Sequence, residues 1–349
     1  MATLADALSA RTRDGTLYER FKGDWVRCVA CGHRCPIPPG GVGVCKVRFN
    51  REGTLHVPWG YVASLQCDPI EKKPFFHVDP GGLALSFGML GCDLHCGYCQ
   101  NWVTSQAIRD PKAVAPPSSV TAEEIVGEAL RLGARTVVST YNEPLITAEW
   151  AAEIFRLARR AGLRTGFVSN GNATPEVLEY LRPLVDFYKV DLKSFDDRHY
   201  RELGGRLQPI LDSIERLHQM GFWVEIVTLL VPGFNDSDDE LRRLTGFIAG
   251  VSPDIPWHVT AFYGTYKMSN RADTTAEMLV HAAGIGKASG LRYVYAGNVP
   301  GRVGRLEDTC CPRCQRVLVG RRGYTVHTFE LTPEGSCPSC GTTIPGVWM

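Results

Sequence analysis

The 349-residue chain is 44% hydrophobic and 21% charged at a formal net charge of +1, which excludes a nucleic-acid or membrane partner held by bulk electrostatics. No apolar run reaches the ~20 residues of a membrane-spanning helix. The opening MATLADALSARTRDGTLYERF also lacks the apolar stretch of a secretory signal, so the expected location is cytoplasmic.

In chain order, residues 1–82 read as an irregular, cysteine-rich segment punctuated by Gly and Pro. Within it, CVACGHRCPIPPGGVGVC supplies Cys28, Cys31, Cys35 and Cys45 at C-x2-C-x3-C-x9-C, a complete set of four thiolates. A structural zinc and a second iron–sulfur cluster are both satisfied by four cysteines. The scarcity of core-forming residues suits a metal that supplies folding energy, which favours zinc. His33 reads as a neighbour of that site or a surface residue. Cys67 stands alone and reads as a small buried hydrophobe. Asp68, Glu71, Lys72, Lys73 and His77 read equally well as a substrate mouth or a surface linker.

From residue 83 to 305, β-branched and apolar runs alternate with helical patterns: LALSFGML, TVVST, RTGFVSN, DFYKVDL, WVEIVTLLV and WHVTAF, separated by segments such as AEEIVGEALRLG and AEWAAEIFRLARRAG. Such alternation predicts an α/β domain with a helix-covered parallel sheet. Six strand–helix units between residues 83 and 290, with a further strand at 292–296, fit a partial (β/α)6-type barrel. The first five strands run into GCDLHC, YNEP, SNGN, DLKS and PGFND, polar clusters at the end where barrels carry their active site. His258 reads either as facing that mouth or as a satisfied structural residue.

The tail, residues 306–349, contains CCPRC and CPSC. Cys311, Cys314, Cys337 and Cys340 are spaced C-x2-C-x22-C-x2-C, close to a zinc ribbon, with a hairpin pattern between the pairs. Cys310 is expected to point elsewhere. Arg313, Arg316, Arg321 and Arg322 are expected to form a solvated basic face.

Cys92, Cys96 and Cys99 follow the first barrel strand as C-x3-C-x2-C. Three thiolates fall one short of a closed zinc site, but a [4Fe–4S] cluster bound by them keeps one iron open. This spacing, with Tyr98 before the third cysteine, resembles the radical SAM superfamily. The resemblance implies that the open iron chelates S-adenosylmethionine (SAM). Reductive cleavage then gives methionine and a 5′-deoxyadenosyl radical that abstracts a substrate hydrogen. No side chain is then the catalyst. YNEP stands where the superfamily often has Gly-Gly-Glu-Pro, which implies that Glu143 meets the methionine ammonium, although Tyr141-Asn142 replaces Gly-Gly. SNG, with Asn170, and DLK, with Asp191 and Lys193, resemble stretches of glycyl-radical activating enzymes and imply SAM contacts. Asp191 and Lys193, two apart, face one side and equally fit a barrel-interior salt bridge.

SLQCDPIEKKPFFHVDPGGLALSFGMLGCDLHCGYCQNW, TYNEP, LRYVYAGNVPG and GTTIPGVW resemble the AmmeMemoRadiSam system radical SAM enzymes, relatives of pyruvate formate-lyase activating enzyme. That resemblance implies an oxidoreductase-type enzyme partnered by AMMECR-type and MEMO-type proteins and by a flavodoxin or ferredoxin electron donor. Two other functions are kept: activation of a glycyl-radical enzyme, and a non-catalytic zinc-ribbon binding module on an inactive barrel.

Overall fold

An eight-stranded sheet organises the middle of the chain. Its strands are β1 (Ser64–Pro69), β2 (Leu83–Gly88), β3 (Thr136–Ser139), β4 (Arg164–Ser169), β5 (Phe187–Asp191), β6 (Trp223–Leu230), β7 (Trp257–Ala261) and β8 (Val294–Gly297). They lie side by side in chain order, from β1 at one end to β8 at the other. Every neighbouring pair is parallel except β1 with β2. The computed structural model describes residues 4–110, 113 and 117–348.

Parallel neighbours need crossover connections, and helices supply them. They are α1 (Ala122–Arg131), α2 (Ala148–Arg160), α3 (Pro175–Leu181), α4 (Leu207–Gln219), α5 (Asp238–Val251) and α6 (Ala276–Ala288). Side-chain caps begin most of them. Thr121 and Glu124 form a capping box at α1, and Thr174, Ser237 and Thr275 accept the first free N–H groups of α3, α5 and α6. All residues of β3 and β7 are buried, as expected for strands covered on both faces. The expected strand–helix units are therefore present, and β8 adds the strand expected near 292–296. β1 falls within the residues read as the N-terminal segment. Its side chains are mostly half-buried, so SLQCDP carries no apolar alternation to announce an edge strand.

Two small antiparallel sheets build the N-terminal segment. It docks on α2 through a buried, two-pronged ion pair. Arg48 Nη1 and Nη2 reach the Glu149 carboxylate at 2.7 Å each, and Glu149 also accepts the Thr16 and Leu17 N–H groups at 3.3 Å.

The tail forms a three-stranded antiparallel sheet of β9 (Thr309–Cys310), β10 (Val317–Arg322) and β11 (Thr325–Phe329). Leu318, Val319 and Ile344 pack on Phe76, Tyr293 and Tyr295 at the barrel. The expected solvated arginine face is only partly present. Arg321 is buried, 3.4 Å from Glu71, and donates to Phe76 O at 2.6 Å and Thr309 Oγ1 at 2.8 Å. Arg316 pairs with Glu330 at 2.7 Å. Sequence alternation cannot reveal that β10 turns one arginine onto the barrel.

Candidate active site

The C-terminal ends of β2 to β5 converge on a cavity of about 380 Å³, within the range of small-molecule sites. Cys92, Cys96 and Cys99 line it together with Glu143, Asn170, Asp191 and Lys193. Every residue predicted to bind the cluster or SAM thus faces one space.

The three cysteines sit on the loop leaving β2. Gly88, the last residue of that strand, has to be small, because a Cβ there would lie 2.4 Å from Thr140 O. Leu94 N–H points at Cys92 Sγ at 3.4 Å, and Ser105 Oγ lies 3.2 Å from Cys99 Sγ. Burial pushes the Cys92 thiol well up and Cys96 up to about 11, so protein alone leaves both protonated. Bound iron reverses that balance, because a coordinating thiol is deprotonated outright. Three thiols on one wall, with a cavity beside them, fit a cluster whose fourth iron stays accessible.

Glu143 is buried and already holds three protein donors. Its Oε1 accepts from Leu145 N at 3.0 Å and Ser169 Oγ at 2.7 Å, and its Oε2 from Asn170 N at 2.8 Å. A carboxylate has about four acceptor sites, so one remains for a ligand. Burial, then the charge of Asp93, push Glu143 up to about 8 despite these bonds. A ligand cation would relieve that cost. Asn170 commits its amide to Asp93 Oδ1 at 2.7 Å, and Asn172 holds Asp93 Oδ2 at 2.8 Å.

Across the cavity, Asp191 lies between two lysines. Lys189 Nζ contacts Asp191 Oδ1, and Lys193 Nζ is 3.5 Å from Oδ2. Burial raises Asp191, but the lysines outweigh it and hold the carboxylate low. Burial opposes the Lys193 charge, yet Asp191 and Cys96 keep it firmly protonated. The salt bridge expected as an alternative is therefore present, and it lines the cavity. The site carries carboxyl groups at Glu143 and Asp93 and the lysines Lys189 and Lys193, a pattern that suits an amino-acid zwitterion, whose ammonium would favour the ionised form of Glu143.

Sequence reasoning missed Lys189 and Asp93. The period-two rule that selects Asp191 and Lys193 also selects Lys189, and Asp93 is the acid inside GCDLHC. YNEP departs from two glycines in an informative way. Tyr141 has φ 71°, a conformation natural to glycine. Its carbonyl accepts from Thr104 Oγ1 and its hydroxyl from Lys73 Nζ, both at 3.0 Å, while Asn142 Oδ1 accepts from Met89 N at 3.0 Å. The Thr104 and Met89 bonds latch the YNEP turn to the two ends of the cysteine loop, and the Lys73 bond ties it to the segment before β2.

The remaining predicted residues fall elsewhere. His258 is satisfied by Glu225 at 2.7 Å and lies outside the lining of the cysteine cavity. Lys72 and Lys73 line that cavity, Glu71 pairs with Arg321, and His77 is buried. Cys67 is half-buried rather than buried, because β1 is an edge strand. A second cavity of about 520 Å³ contains His258 and shares Lys72, Thr260, Asn298 and Tyr324 with the first. Tyr324, at the tip of the β10–β11 hairpin, brings the tail to the mouth.

In the tail, the sulfurs of Cys311, Cys314, Cys337 and Cys340 all lie within 4.8 Å of one another. Cys311 and Cys340 are 3.5 Å apart, and Cys314 and Cys337 are 3.6 Å apart. Tetrahedral zinc with 2.3 Å bonds needs sulfurs about 3.8 Å apart, which this quartet matches. Cys310 instead accepts from Arg305 at 3.2 Å. Cys28, Cys31 and Cys45 are buried in the N-terminal segment, and Cys35 is half-buried. Among the described residues, no helix is long and apolar enough to cross a membrane.

A family profile described as the Radical SAM superfamily matches residues 88–245. An uncharacterized protein of Methanocaldococcus jannaschii is 35% identical over 95% of this chain and 98% of its own. The pyruvate formate-lyase-activating enzyme of Staphylococcus aureus is 30% identical over 49% of this chain and 71% of its own. A radical SAM methyltransferase from Sphaerobacter thermophilus aligns with 63% of this chain and 67% of its own, at 16% identity and a TM-score of 0.49.

Proposed function

The chain belongs to the radical SAM superfamily, and we propose that it reductively cleaves SAM in the cavity beside Cys92, Cys96 and Cys99. The family implies a [4Fe–4S] cluster and SAM, and these three thiolates would hold the cluster. When bound, the pair supplies a 5′-deoxyadenosyl radical for hydrogen abstraction.

The observation that carries the reading is the shared cavity, where the cysteines meet the Glu143 and Asp191–Lys193 groups. Glu143 offers its remaining acceptor site to the ligand's ammonium. Lys189 and Lys193 keep Asp191 ionised, and Lys193 faces anionic ligand groups. Asp93, held by Asn170 and Asn172, fixes the cysteine loop against β4. An inert barrel carrying a ribbon module has no need of these converging charges. The tail quartet is assigned a structural zinc from its spacing. The adjoining second cavity is assigned to the substrate, with the AMMECR-type and MEMO-type proteins as partners and a flavodoxin or ferredoxin as electron donor.

Glycyl-radical activation is the second reading, favoured by the 30% identity to pyruvate formate-lyase-activating enzyme over 188 residues. Anaerobic reconstitution followed by titration with SAM tests both. The proposal expects SAM to perturb the EPR spectrum of the reduced cluster, and an unperturbed spectrum would remove both readings. Deuterium carried from a labelled protein glycine into 5′-deoxyadenosine selects the second.

A further inference from the structure

The second cavity, of about 520 Å³, has room for a small organic molecule, and its walls select the kind. Phe76 and Tyr295 are buried in its wall, with ring centroids 4.8 Å apart in an edge arrangement. Tyr263 and Tyr324, nearer solvent, are 42% and 45% exposed. Tyr263 is pinned by its hydroxyl, which donates to Asn298 O at 2.6 Å. Aromatic walls of this kind favour a flat, apolar body that meets them edge-on or offset-stacked.

Charge at this cavity is one-sided. Glu71 already accepts from Gly81 N at 2.9 Å and lies 3.4 Å from Arg321 Nε. Glu307 gives one oxygen to Gly301 N at 2.7 Å and the other to Gly323 N at 2.6 Å. Lys72 shares Asp68 with Lys73, at 2.9 and 3.0 Å, so one carboxylate faces two ammonium groups. Arg322 is exposed at the β10–β11 hairpin, and among the described residues it makes no side-chain hydrogen bond or ion pair. The carboxylates of the cavity are engaged, whereas this guanidinium is not.

The placing of Arg322 is built into the backbone around it. Gly301 has φ 72°, and a Cβ there would lie 3.0 Å from Arg322 Nε and 3.3 Å from Nη2, so the guanidinium rests against bare main chain. Gly323, the next residue of the hairpin, packs on Pro300. Through its two backbone bonds, Glu307 staples the hairpin tip to the loop after β8. An arginine held in place without a carboxylate partner is available to an anion, and its planar fork matches a carboxylate in two-pronged fashion.

We propose that the substrate is a small aromatic carboxylate, its ring among Phe76, Tyr263, Tyr295 and Tyr324 and its carboxylate on Arg322. This rests on the assignment of the second cavity to the substrate. Arg322 lines that cavity alone, whereas Tyr324 lines both, so a ligand anchored on Arg322 and packed on Tyr324 extends toward the cysteines. The cysteine-rich tail is thereby a substrate-recognition element of the barrel, supplying the anion anchor and one aromatic wall.

The test uses the full chain, reconstituted anaerobically with SAM present, and ligand-detected NMR with three probes. They are 2-naphthylacetate, its neutral amide 2-naphthylacetamide, and octanoate, an anion without a ring. 2-Naphthylacetate should bind with a Kd at or below about 1 mM, and the other two about tenfold or more weakly. Arg322→Gln should bring 2-naphthylacetate down to the affinity of the amide and leave the amide unchanged. Tyr324→Ser should weaken both aromatic probes alike. Arg316→Gln, which breaks a pair with Glu330 outside the lining of this cavity, should leave all three unchanged. Equal affinity for acid and amide, a preference that survives Arg322→Gln, or no binding of 2-naphthylacetate at about 10 mM would overturn the proposal. The readout does not depend on SAM cleavage. An Arg322-dependent preference in a protein that leaves SAM intact would undo the SAM reading and keep the carboxylate site, and cleavage without that preference would do the reverse.

Discussion

At the scale of single residues, Glu143 is the sharpest test of the site. Glu143→Gln removes the charge and places an amide N–H₂ where the carboxylate accepts from Ser169 and Leu145 or from Asn170. Affinity for SAM should fall by about 1–2 kcal/mol, the gap between charge-assisted and neutral hydrogen bonds. The melting temperature should fall as well, since a buried donor loses its acceptor. Titration against the reconstituted cluster measures the first effect, and unchanged affinity would show that Glu143 does not meet the ligand. The three cysteines of the β2 loop stood out in the sequence because thiolate ligation fixes residue type and spacing, whereas Glu143 was reached only through the resemblance of YNEP to the superfamily's Gly-Gly-Glu-Pro. Arg321 and Asp93 were not legible, because their roles depend on partners far away in the chain, Glu71 and the Asn170–Asn172 pair.

At the scale of elements, two appendages are fastened to the barrel by buried charge. Arg48 and Glu149 clamp the N-terminal segment to α2. Arg48→Met leaves Glu149 buried and unpaired and should cost about 3–5 kcal/mol. Arg48→Met/Glu149→Leu should recover much of that loss, and chemical denaturation of the three proteins decides. An equally unstable double variant would show that packing, rather than the lone charge, holds the segment. If the tail quartet holds the proposed zinc, removing the ion should act locally. A chelator should speed hydrogen exchange in β9 to β11 while β3 to β6 stay protected, and uniform exchange across the chain would contradict a zinc held by the tail quartet. The strands and helices of the barrel were readable from periodicity because most bury one face or both. β1 was not, being a half-buried edge.

At the scale of the whole molecule, the seam between barrel and tail carries a pH dependence. His77 Nδ1 lies 2.6 Å from Pro345 O, which can only accept, so Nδ1 bears the proton. Nε2 then accepts from Tyr295 OH at 2.6 Å. Burial pushes His77 down to about 4, against an ordinary value near 6.5. The unfolded chain therefore binds the proton first. The contribution of His77 to stability is complete above pH 6.5 and is lost as pH falls toward about 4, by roughly 3 kcal/mol in all. His258, also lowered by burial, adds a loss of the same sign. Melting temperature against pH should fall across this window, with a shallower slope in His77→Gln. Equal slopes in both proteins would place the acid sensitivity elsewhere.

SAM cleavage at the cysteine triad is tested by anaerobic turnover of SAM with a low-potential reductant, followed by quantitation of 5′-deoxyadenosine and methionine. Reconstituted wild type should give both products in equal amounts, and Cys96→Ala neither. A reconstituted, iron-replete wild type that leaves SAM intact, or a Cys96→Ala variant that cleaves it at the wild-type rate, would contradict cleavage at that site.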